Sequence, residues 1–83
     1  MIVEDETALV TLLKYNLEKQ GYETVVVMDG KDVISTAITE KPDLVLLDWM
    51  LPNVQGIDIC REMRRTYELR SIPIIMLTAR GEE

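Results

Sequence analysis

Apolar positions along the chain alternate between short unbroken runs and a three-to-four spacing, with Gly, Pro, Asn or Asp at the joints. That alternation predicts the strands of a parallel α/β sheet separated by helices. The opening MIVEDE is a very short strand that runs straight into acids. Residues 7–20 carry Leu9, Leu12, Leu13 and Leu17 on one face and predict a first helix, closed by Gly21 as a C-terminal cap. The valine-rich stretch 22–28 predicts a second strand, with Glu23 as a charge suited to a sheet edge. Asp29-Gly30 signals a turn, and Val33, Ile34, Ala37 and Ile38 then mark a short helix that ends before Lys41-Pro42, because the residue preceding proline avoids helical geometry.

The third strand, 43–48, is the most distinctive. In DLVLLDWMLP four apolar residues in a row predict burial on both faces, and the run stops at Asp48. A loop over 49–55 holds Pro52 and Asn53, and Gly56 opens a third helix whose inner face can use Ile59, Cys60, Met63 and Tyr67. The wholly apolar 73–77 is the fourth strand, and only ARGEE follows Thr78. No internal repeat, low-complexity segment or interdomain linker interrupts this order.

Composition narrows what such a sheet can do. At 83 residues there is room for one domain, near the lower limit of what a single core stabilises. A formal charge of −6 repels phosphate backbones and anionic lipid, which argues against nucleic-acid or membrane binding by this segment. One cysteine, Cys60, makes no internal disulfide, and no apolar run is long enough for a signal peptide or a membrane span, so a reducing, cytoplasmic setting is expected. Cys60 and the methionines read as core filler and Trp49 as a loop anchor.

The polar residues of interest stand at strand ends: Glu4 and Asp5 after the first, Asp48 after the third, Thr78 after the fourth. Parallel strands joined by right-handed crossovers share one rim, and a ligand crevice forms where the winding reverses. If the first and third strands are neighbours there, Asp5 faces Asp48. Crowded carboxylates attract a hard cation, and magnesium suits carboxylate and carbonyl oxygens, whereas the absence of histidine argues against zinc or copper. With a metal to neutralise phosphate oxygens, Asp48 can act as a nucleophile and hold a phosphoryl group, and Thr78 can donate its hydroxyl to it. Simpler roles stay open: Asp48 as a turn former, and Asp5 and Thr78 as helix caps.

IVEDE, LVLLDWMLP with NVQGID behind it, and IPIIMLTAR resemble the successive motifs of response-regulator receiver domains from two-component signalling, in their phosphate-regulon, winged-helix-linked branch. The resemblance runs along the entire chain. It implies a flavodoxin-like (CheY-like) doubly wound parallel sheet of order 2-1-3-4. It also implies Asp48 as phospho-acceptor, Asp5 as a direct Mg2+ ligand, Glu4 as a ligand through water, Met50 as a backbone-carbonyl ligand and Thr78 as the switch hydroxyl. The implied donor is a phosphohistidine on a sensor histidine kinase, and the implied outcome is transcriptional control through an output domain.

Against that pattern the fifth strand, the last two helices, the lysine that neutralises phosphoryl oxygens and any DNA-binding domain have no counterpart in residues 1–83, which therefore read as a partial receiver. An open fourth strand predicts a homodimer or an element-exchanged oligomer. The alternative reading is a non-switching interaction module that binds a kinase or another receiver. A haloacid-dehalogenase-type phosphatase is disfavoured, because the position two residues after its nucleophile needs a general acid and here is Met50.

Overall fold

The structure, a computed structural model, describes residues 1–77. Its elements follow in the order β1 (Ile2–Val3), α1 (Thr7–Lys19), β2 (Val26–Val27), a single 3-10 turn (Gly30–Asp32), α2 (Val33–Glu40), β3 (Val45–Asp48), α3 (Gly56–Arg65) and β4 (Ile74–Leu77). The four strands form one parallel sheet of order β2-β1-β3-β4, the expected order of a flavodoxin-like, doubly wound fold. Winding reverses between β1 and β3, so the crevice lies above that pair.

Alternation along the strands sends side chains to opposite faces. Val3, Val27, Val45 and Leu47 form the main core with Val33 and Ala37 of α2, Ile59 and Met63 of α3, and Leu69. Ile2, Leu46 and Ile75 are cross-strand neighbours on the opposite face. There α1 packs on β1, and Ile2 is buried while Ile75 is half exposed. Among the described residues β4 pairs on one side only, with β3.

Local signals end α1 and α2 where expected. Gly21, at φ +96°, follows the C-cap Gln20, and the N–H groups of Gly21 and Tyr22 donate to the carbonyls of Glu18 and Leu17 at 3.0 and 3.1 Å, the paired bonds of a left-handed terminus. Lys41 leaves the right-handed region at φ 50° just before Pro42.

Three expectations need correction. The second strand is two residues long rather than seven, because its partner β1 is itself only two residues long, and Tyr22 is exposed. On α1 the buried residue is Val10, while Leu12 points to solvent. The third helix stops at Arg65: Thr66 takes up an extended conformation and Tyr67 is 80% exposed, so Leu69 fills the core position that helical spacing assigned to Tyr67. Arg64 holds the ensuing turn by donating from Nη1 to the carbonyls of Arg70 and Ile72 at 2.7 and 2.9 Å. Among the described residues no helix is long and apolar enough to cross a membrane.

Candidate metal and phosphoryl site

The register of β1 against β3 builds the site. Ile2 pairs with Leu46 and Val3 with Leu47, so Glu4 and Asp48 leave adjacent strands at the same level. Glu4, Asp5 and Asp48 each offer a carboxylate oxygen, and these oxygens all lie within 4.8 Å of one another. Glu4 and Asp48 are buried and Asp5 is exposed, so the cluster opens to solvent on the Asp5 side.

Few donors offset this concentration of charge. Glu4 Oε2 accepts the N–H of Glu6 at 3.0 Å, and Asp48 Oδ1 accepts the N–H of Met50 at 3.4 Å. Burial pushes the Glu4 carboxyl above its ordinary pKa; the Glu6 N–H opposes this, and the charges of Asp48 and Asp5 add to it. An all-oxygen set of three acids, one held reluctant to ionise, fits a hard divalent cation such as Mg2+.

The simpler readings fare unequally. The residue capping α1 is Glu6, which makes no side-chain capping bond, so capping does not account for Asp5. The long Met50 contact leaves Asp48 some turn-forming character. Trp49 is half exposed, and Met63 alone of the methionines is fully buried. Thr78, expected as the switch hydroxyl, lies outside the described residues. Leu77 is the last described position and pairs with Asp48.

Gly56 has a larger part than helix opening. A Cβ there would stand 2.5 Å from the Asp48 carbonyl oxygen and 3.0 Å from that of Trp49, so only glycine lets α3 start against the backbone at the end of β3. Its N–H donates to Trp49 O at 2.9 Å, and Met50 bridges Gln55, closing the base of the 49–55 loop. The sequence carries the signal, a glycine as the first residue of a helix, but not the atoms it approaches.

An α/β sheet with three acids at its switch point defines a cleft suited to a hard cation and the phosphate oxygens it draws in, and comparison with known proteins supplies the family. The whole chain, residues 1–83, matches the response regulator receiver domain. The protein belongs to that family.

Among curated relatives it is 47% identical over 83 residues to PhoP of Bacillus subtilis, the alkaline phosphatase synthesis transcriptional regulatory protein. It is 51% identical over 82 residues to PhoB of Rhizobium meliloti, the phosphate regulon transcriptional regulatory protein. These alignments take in 100% and 99% of the chain but only 34% and 36% of the relatives, so the chain spans about a third of their length. Among solved structures, the receiver domain of a Pseudomonas aeruginosa sensor histidine kinase superposes with a TM-score of 0.92 at 33% identity, covering 99% of this chain and 67% of that one. That structure holds a magnesium ion coordinated in its active-site cleft.

Proposed function

We propose that the protein is the receiver of a two-component transcription regulator, with Asp48 accepting a phosphoryl group from a sensor histidine kinase. The observation that carries this reading is the gathering of Glu4, Asp5 and Asp48 carboxylate oxygens within 4.8 Å at the switch point of the sheet. Asp5 and Asp48, with the Met50 carbonyl, would hold Mg2+ directly and Glu4 through water; when bound, the ion neutralises the acids and draws in phosphate oxygens.

Asp48 then attacks phosphorus through a carboxylate oxygen. The new oxygen–phosphorus bond forms an acyl phosphate as the phosphorus–nitrogen bond of the donor breaks, and the released imidazole takes a proton from solvent. Thr78, which lies outside the described residues, would supply the switch hydroxyl to the phosphoryl oxygens. Magnesium in the cleft of the Pseudomonas receiver domain supports the metal assignment. Relatives that regulate transcription support an output through DNA, made by another part of a longer regulator. The reading sets residues 1–83 as a partial receiver, in the cytoplasm, with no membrane contact of its own.

Incubation with a small phosphoryl donor and Mg2+ tests the assignment. One phosphoryl mass added at Asp48, absent in Asp48→Ala and after chelation, is expected; unaltered labelling of Asp48→Ala overturns it. Self-association at β4 belongs to the same proposal, and a single-chain mass at high concentration overturns that part alone.

A further inference from the structure

The loop that follows the acceptor is tied at its tip as well as its base. Asn53 donates from Nδ2 to both carboxylate oxygens of Asp29, at 3.1 and 3.0 Å, across 24 positions of sequence. Asp29 is itself oriented, since its Oδ1 accepts the Lys31 N–H at 3.0 Å. Asn53 adopts φ +75°, a left-handed conformation that asparagine tolerates and most side chains do not. Beside it, Gly30 makes room for Val54: a Cβ on Gly30 would come within 2.9 Å of Val54 Cβ. Two neighbouring contacts therefore clamp the loop tip to the turn that precedes α2.

An exposed polar pair of this kind adds little to global stability, because water competes for the same groups. Its effect is on geometry. At the other end of the same loop the Met50 N–H touches Asp48 Oδ1, so a loose tip lets the residues beside the acceptor wander. We propose that Asp29 and Asn53 are a positioning pair that fixes the 49–55 loop beside the acid cleft. Its consequence for Mg2+ rests on the functional reading above; its consequence for the loop does not. The Lys31 and Asn53 donors hold the Asp29 carboxyl below its ordinary pKa, so the acceptor side of the latch stays charged at neutral pH.

The experiment compares Asn53→Ala, Asn53→Gly, Asp29→Ala and Asp29→Asn with the unaltered chain by amide hydrogen exchange of residues 49–55, by Mg2+ titration followed through Trp49, and by thermal melting. The expected result is faster loop exchange and roughly tenfold weaker Mg2+ binding in the alanine variants, with little change in Tm. Asp29→Asn keeps an oxygen acceptor for Asn53 and recovers most of both properties, although it loses the same charge as Asp29→Ala. Asn53→Gly, which relaxes the backbone but removes the donor, behaves as Asn53→Ala does. Unchanged loop exchange in both Asn53 variants overturns the proposal, as does an Asp29→Asn variant no better than Asp29→Ala. If the unaltered chain binds no Mg2+, the functional reading falls, and loop exchange alone decides the latch.

Discussion

Val3 and Leu47 are cross-strand partners, and the residue that follows each is an acid. That single register brings Glu4 and Asp48 to one level of the rim, with Asp5 beside them. A slip of one residue would flip the alternation and send one of the two acids to the other face of the sheet.

The charge gathered there fixes a pH dependence. The Glu4 pKa is raised above its ordinary 4.5, so the folded state holds this proton more tightly than the unfolded chain. Its contribution is neutral at low pH, and stability is lost as pH climbs from 4.5 through the folded-state value, with the deficit constant above it. Asp5 and Asp48 face the same group and deepen the effect. In chelating buffer Glu4→Gln is therefore expected to melt higher than the unaltered chain at pH 7 and to match it near pH 4. Melting curves across that range check this; a lower Tm for Glu4→Gln at pH 7 contradicts it.

Asp5 is the exposed member of the cluster, so its replacement tests the metal site with little risk to the core. Asp5→Asn is expected to weaken Mg2+ binding at least about tenfold, since losing even an outer-sphere partner commonly costs that much. Calorimetric titration measures it, and an unaltered affinity would remove Asp5 from the ligand set.

Gly56 gives a steric test. In Gly56→Ala the new methyl meets the Asp48 and Trp49 carbonyls, and overpacking of this kind costs about 1 to 3 kcal/mol. Urea unfolding should show that loss, and the proposed phosphoryl labelling at Asp48 should fall with it because α3 is pushed off the end of β3.

Core and surface leucines should separate cleanly. Leu47 is fully buried, and Leu47→Ala is expected to cost about 2 to 5 kcal/mol, a large share of the stability of so small a domain. Leu12 is 56% exposed, and Leu12→Ala is expected to stay within about 0.5 kcal/mol. Denaturant midpoints decide between them; equal losses would mean that α1 is turned differently on the sheet.

Periodicity foresaw the run of strands and helices and the acids at the strand ends, whereas the strand order came from the resemblance to receiver domains, and the meeting of Asp5 with Asp48 was conditional on β1 and β3 being neighbours. Asp48 stops a run of apolar residues, and nothing but tertiary context was needed to bring Glu4 and Asp5 to it. The misreadings share a cause. Tyr67 fits the helical spacing of α3, but helix length is set by where Thr66 turns the chain, which places Leu69 in the core. The span of β2 is limited by β1, a partner far away in sequence. Leu12 and Val10 are equally apolar, and only docking on the sheet selects which of them is covered. The Asp29–Asn53 contact was equally hidden, since both residues are ordinary turn formers and only their bonding across two loops sets them apart.

The acids of the cluster belong to opposite sides of a long stretch of chain and meet only when β1 docks against β3. An unfolded molecule offers a cation isolated carboxylates with no shared pocket, so an ion held in the cleft adds its binding free energy to the folded state alone. With Mg2+ held as proposed, the folding equilibrium of this chain shifts with the concentration of the ion.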